Sequence, residues 1–136
     1  MDSVDDSQAD LGLLEEAKKA RERAYAPYSR FQVGAALRAA SGKVYRGCNV
    51  ENASFGLTVC AERVALQTAV AEGERVFVAV AIDAGTPAPT PPCGACRQVL
   101  AEFGVDLRVV LAGDPPKVMP LSDLLPMSFG PEDLLG

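Results

Sequence analysis

The 136-residue chain contains no histidine. That absence removes Ser-His and Cys-His nucleophile schemes, and any general base must be something other than imidazole. A metal site would have to be assembled from thiolates and carboxylates. Positive charge is also scarce, with 13 Lys and Arg against 18 Asp and Glu and a net charge of −5. No basic run supplies the patch that a nucleic acid or polyphosphate partner needs. No apolar stretch is long enough to span a bilayer, and Met1 to Asp10 has no signal-peptide character. A soluble, cytoplasmic protein is expected.

What is present is one globular domain's worth of chain, 49% apolar and 23% charged. Residues 1–9 are acidic and polar and are expected to form a disordered tail before a single domain at 10–136. Asp10 is placed to cap a helix from Leu11 to about Tyr25, with Leu11, Leu14, Ala17, Ala20 and Ala24 at helical spacing and a supporting Glu15–Lys19 pair. Pro27 ends it. Phe31 to Ala39 and Lys43 to Asn49, joined at Ser41-Gly42, read as a β-hairpin. Cys60 opens a second helix ending at Gly73, in which Ala61, Ala65 and Ala69 form a small-residue stripe suited to close approach. Arg75 to Asp83 and Leu107 to Ala112 read as buried strands, with a helix from Cys93 to about Phe103 between them. Lys117 to Pro120 is a short segment, and Leu121 to Leu125 a helical turn. The order predicts an α/β fold, a three-layer α-β-α arrangement around a mixed sheet of about five strands.

Four cysteines in a reducing compartment point to metal ligands, reactive groups or small buried hydrophobes rather than disulfides. Two pieces concentrate the chemistry, Cys60-Ala61-Glu62 and Pro92-Cys93-Gly94-Ala95-Cys96. A Cys-x-x-Cys at a helix start puts both sulfurs on one face, and helix N-termini favour thiolates. Cys60, Cys93 and Cys96 as three zinc ligands would leave a fourth position for water, and Glu62 lies two residues from one of them. Cys48 leaves open a closed four-cysteine structural site. Strand alternation instead sends Cys48 to one face and Asn49 and Glu51 to the other. Glu62 and Arg63 could be ordinary solvated helix residues, Phe31 a core residue, and Asn49 and Glu51 loop residues.

These motifs resemble those of the zinc nucleoside deaminases, specifically the small cytidine deaminases. A cysteine two residues before a glutamate, followed by Pro-Cys-x-x-Cys, is the signature of that chemistry. Tyr28 to Leu37, Asn49 to Ser54, Thr58 to Arg63, Cys93 to Gln98 and Leu124 to Phe129 fall in the family's order, so the resemblance runs from about Tyr25 to Phe129. It implies a cytidine deaminase-like fold, a Zn²⁺ cofactor and pyrimidine salvage. The reaction would hydrolyse cytidine and 2′-deoxycytidine at ring C4, with water as nucleophile and Glu62 as proton carrier. It further implies that Asn49 and Glu51 bind the ribose, Phe31 packs on the nucleoside, the Ala61 backbone reads the pyrimidine and the Pro91 carbonyl accepts from the leaving amine. Phe55 stands where many relatives carry tyrosine. Arg63, and Arg97 with it, would draw charge from the thiolates. Phe129 looks like the residue that closes a neighbour's pocket in a homotetramer. The rival readings are a deaminase of another aminopyrimidine nucleoside such as blasticidin S, a nucleic-acid deaminase, and a structural-zinc interaction module.

Overall fold

The computed structural model describes residues 3–136. It contains the helices α1 (Ser3–Arg21), α2 (Ala61–Ala71), α3 (Gly94–Ala101), α4 (Leu121–Leu124) and α5 (Pro131–Leu135). The strands are β1 (Gly34–Ala39), β2 (Val44–Cys48), β3 (Phe77–Asp83), β4 (Arg108–Leu111) and β5 (Lys117–Pro120). They form one five-stranded mixed sheet in the order β2-β1-β3-β4-β5, parallel only between β3 and β4. This is the predicted architecture. A 3₁₀ turn at Phe55–Leu57 and α5 had no counterpart in the sequence reading.

Alternation along the strands divides the core into two layers. Ala36, Ala79, Ala81 and Val110 face Leu13 and Ala17 of α1. Ala35, Leu37, Val80, Ile82, Val109 and Leu111 face α2 and α3. Two glycines set how closely the helices approach. A Cβ at Gly34 would lie 2.0 Å from the Ala17 carbonyl oxygen of α1, and one at Gly47 would lie 2.3 Å from that of Ala61 in α2. The expected close approach of the Ala61, Ala65 and Ala69 stripe is therefore realised against β2, where only glycine leaves room.

α1 departs from expectation at both ends. It runs through the segment expected to be a disordered tail, beginning at Ser3, while Met1 and Asp2 lie outside the described residues. Asp10 is not its cap. The carboxylate is buried in mid-helix, where Arg108 of β4 donates to Oδ1 from Nε at 3.0 Å, and Nη2 lies 2.9 Å from the same oxygen. The buried stripe is accordingly Asp10, Leu13, Ala17 and Ala20, while Leu11 is exposed. Glu16, rather than Glu15, is the ion-pair partner of Lys19 and also meets Arg46. The helix stops at Arg21, short of Pro27, because Tyr25 is needed in extended pairing. Its N–H donates to the Asn49 carbonyl at 2.9 Å and its carbonyl accepts from Glu51 N–H at 2.8 Å. β3 begins two residues later than Arg75 because Arg75 caps α2, donating from Nη1 to the Val70 and Glu74 carbonyls. Among the described residues no helix is long and apolar enough to cross a membrane.

Candidate active site

The sheet places a cleft beyond the carboxyl end of β3, where Ile82 forms its floor and the loop after β3 contributes Thr90 and Pro91. Crevices at this end of open α/β sheets are the usual ligand sites. The cleft has a volume of about 320 Å³, within the ~300–1,000 Å³ range of small-molecule sites and toward its small end. Phe31, Asn49, Glu51, Cys60, Ala61, Glu62 and Cys93 all line it.

Two helix starts meet at one wall. Cys60 is the N-cap of α2, Cys93 is the N-cap of α3, and Cys96 lies in the first turn of α3. Their sulfurs lie within 4.8 Å of one another, with Cys60 to Cys93 at 3.9 Å and Cys93 to Cys96 at 3.4 Å. Sulfurs bound tetrahedrally at the ~2.3 Å zinc–thiolate distance stand about 3.8 Å apart, so this donor set fits one Zn²⁺. Soft sulfur donors and the aligned helix termini suit the same ion. Cys48 is outside the cluster. It pairs with Gly34 at the sheet edge, on the α1 side, and is half-buried.

The electrostatics separate the thiols. The Cys60 thiol is pushed down to about 5, first by its hydrogen bond with Cys96 and further by Arg63 and Cys93, against the effect of burial. The Cys96 thiol is pushed up by the same contact with Cys60 and by burial. Of this pair, Cys60 is the thiol that favours the thiolate. Arg63 Nη2 donates to Cys60 Sγ at 3.5 Å, and its Nε is buried without a partner. Arg97, expected beside the sulfurs, instead donates to the Pro92 and Leu124 carbonyls, which satisfy its planar fork better than a crowded sulfur face.

Glu62 is 5% exposed. Burial pushes its carboxyl above the usual range and the negative Cys60 adds to this, while its own backbone N–H and the Cys96 thiol pull partly the other way. Ala61 is the first residue of α2, so its N–H has no intrahelical acceptor. Phe31 is 45% exposed, which places it on the cleft wall rather than in the core.

The Asn49–Glu51 segment is held between Tyr25 and Val59 by backbone pairing, which puts Asn49 and Glu51 on the cleft side. Both side chains already have protein partners. Asn49 Nδ2 donates to the Phe31 carbonyl at 2.8 Å and Oδ1 accepts from Val33 N–H at 2.9 Å. Glu51 Oε1 accepts from Tyr28 and Ser29 N–H, and Oε2 from the Ser29 hydroxyl. That hydroxyl holds the Glu51 carboxyl below its ordinary range, so it is ionised at neutral pH. Ser29, Thr58 and Thr90, which the sequence reading did not single out, also line the cleft. Ser29 lies inside the Tyr28 to Leu37 segment, but nothing in its residue type announced a contact to Glu51.

Phe55 does not line this cleft. It is 73% exposed, packs edge-on against Tyr28 at 5.9 Å, and borders an adjoining hollow that shares Ser29, Glu51 and Thr58 with the cleft. Phe129 is farther away, 59% exposed, with its carbonyl accepting from Gln98 Nε2 at 2.9 Å. Its ring borders a separate surface hollow with Glu102 and Leu134.

A family profile for the cytidine and deoxycytidylate deaminase zinc-binding region matches residues 7–112. The chain belongs to this deaminase family. Its relatives include a cytidine deaminase of Halalkalibacterium halodurans, 56% identical over 126 residues, covering 90% of this chain and 95% of that protein. A Mycobacterium tuberculosis cytidine deaminase is 45% identical over 118 residues, covering 87% of each chain. The crystal structure of the cytidine deaminase from Burkholderia pseudomallei superposes with a TM-score of 0.83 at 54% identity, covering 87% of this chain and 97% of that one. With the family come the enzyme class, a hydrolytic deaminase, and the metal, zinc.

Proposed function

We propose that this deaminase hydrolyses cytidine and 2′-deoxycytidine to uridine and 2′-deoxyuridine with release of ammonia, in cytoplasmic pyrimidine salvage. The observation that carries the reading is the shared wall of one nucleoside-sized cleft, where Cys60 and Cys93 of the thiol cluster stand beside the buried Glu62. Cys60, Cys93 and Cys96 would hold the zinc, and Arg63 would draw charge from Cys60. Bound there, zinc supplies the Lewis acidity that makes water a nucleophile near neutral pH. Glu62 takes one proton from the attacking water and passes it to ring N3, then takes the second from the hydroxyl now on C4 and delivers it to the departing amine, so C4 becomes a carbonyl as ammonia leaves. Its burial raises its hold on each proton between the steps. The free Ala61 N–H reads the pyrimidine, the Pro91 carbonyl receives the leaving amine, and Phe31 packs on the nucleoside. Asn49 keeps one amide hydrogen and one lone pair beyond its protein contacts, and Glu51 keeps acceptor capacity, so both can bind ribose hydroxyls. Phe55, without a tyrosine hydroxyl, contributes an apolar edge to the sugar end of the site.

The cleft lining favours a nucleoside over deoxycytidylate. It contains Glu51 and Glu62 and no Lys or Arg. Each carboxylate–phosphate pair at about 4 Å would cost ~1 kcal/mol in water and ~4 kcal/mol at the lower dielectric near a protein surface. Ammonia release from cytidine, 2′-deoxycytidine, cytosine, deoxycytidylate and blasticidin S tests the assignment. Cytidine is expected to be much the best ribonucleoside substrate, and free cytosine to show a lower kcat as well as a higher KM, because remote ribose contacts orient C4. Glu51→Ala should cut kcat/KM for cytidine about ten- to a hundredfold, the worth of a hydrogen bond to a charged group, and leave cytosine unchanged. Equal loss for both substrates would show that Glu51 only props the Tyr28–Ser29 loop. Preferential turnover of blasticidin S would transfer the assignment to that nucleoside.

The enzyme assembles as a homotetramer in which Phe129 closes a neighbour's pocket. The exposure of its ring, with its carbonyl anchored to Gln98, supports this reading. If Glu62→Ala and Phe129→Ala are each nearly inactive, refolding them together should restore part of the activity, because some pockets then combine an intact residue from each chain. Mixed oligomers that remain inactive would rule out the shared pocket.

A further inference from the structure

Arg97 follows directly after Cys96, yet its guanidinium serves the other thiol-bearing segment. Nε donates to the Pro92 carbonyl at 2.8 Å, and Nη1 donates to the Leu124 carbonyl at the end of α4, also at 2.8 Å. Its backbone N–H donates to the Cys93 carbonyl at 3.0 Å. The two peptide planes that flank the Cys93 Cα are thus both held by one residue. A peptide plane includes the Cα that follows it, so fixing the Pro92 carbonyl fixes the direction in which Cys93 leaves the chain. Pro92 is buried, so its carbonyl has little access to water as a substitute partner.

We propose that Arg97 is a positioning residue for the metal site, aiming the Cys93 sulfur through the Pro92–Cys93 peptide and bolting that peptide to α4. The inference rests on Cys93 being a zinc ligand. Its consequence is kinetic. A sulfur held in place re-forms its bond to the ion after each transient break, whereas a free-swinging one lets the ion escape.

The experiment measures zinc release from the intact holoenzyme to the chromophoric chelator 4-(2-pyridylazo)resorcinol, after zinc per chain has been determined. Arg97→Met is expected to release zinc at least tenfold faster than the parent. Arg97→Lys, which can serve one carbonyl but not both, should fall between them. Arg75→Met is the matched control, since Arg75 Nη1 also donates to two carbonyls, those of Val70 and Glu74, at the end of α2 remote from Cys60. It should lower the Tm yet release zinc at the parent rate. Release from Arg97→Met within twofold of the parent would overturn the proposal, as would equal acceleration in Arg75→Met. If Arg97→Met fails to fold, parent-like release from Arg97→Lys overturns it equally. A parent protein that carries no zinc would instead overturn the thiolate-site reading, and this inference with it.

Discussion

Glu62→Gln is expected to fold, to retain zinc and to bind cytidine, while releasing ammonia at least about 10³-fold more slowly. Positioned acid–base groups contribute ~10²–10⁴-fold for a single transfer, and Glu62 would serve more than one transfer in the cycle. The amide matches the carboxyl in shape but cannot carry a proton between water, N3 and the amine. Its folding effect should run the other way. In the zinc-free protein, burial raises the Glu62 pKa, so the fold disfavours the charged form, and whatever stability the protonated form contributes is lost as pH rises through that elevated pKa. A neutral amide removes this dependence, so the Tm near neutrality should hold or rise. Activity within tenfold of the parent would sink the proton-carrier role, and a lost Tm would show that the carboxyl is mainly structural.

The parts of this molecule legible in its sequence are those set by short-range pattern. Cysteine at two helix starts, a glutamate two residues after one of them, and alternation through Cys48, Asn49, Val50 and Glu51 are local facts, and the structure keeps them local. What escaped the sequence is set by partners distant along the chain. Asp10 looked like a helix cap because its helix continues earlier than composition suggested, and its true partner, Arg108, lies 98 residues away. Arg97 has the charge to serve the sulfurs, and only the positions of Pro92 and Leu124 show that two carbonyls claim it first. Asn49 is similar, since only the structure shows its amide bracing Phe31 and Val33.

Ligand removal should separate the thiols more sharply than any other substitution. Cys93→Ala is expected to lose both zinc and turnover, and to unfold at a lower temperature that no longer responds to added zinc. A ligand that binds only the folded state stabilises it in proportion to the logarithm of its concentration over Kd. Tight thiolate sites can contribute on the order of 10 kcal/mol, comparable to the whole ~5–15 kcal/mol stability of a domain. Cys48→Ala should behave oppositely, keeping one zinc per chain and activity close to the parent. Its sulfur sits on the α1 side of the sheet, opposite Gly34, outside the group formed by Cys60, Cys93 and Cys96. Zinc content measured after dialysis, with the Tm at several zinc concentrations, decides the matter. Loss of zinc from Cys48→Ala would require a four-thiolate site and would close the position that water must occupy. Retention in Cys48→Ala with loss in Cys93→Ala would leave Cys60, Cys93 and Cys96 to hold the ion, a three-ligand set that keeps a fourth position for the water that hydrolysis at C4 requires.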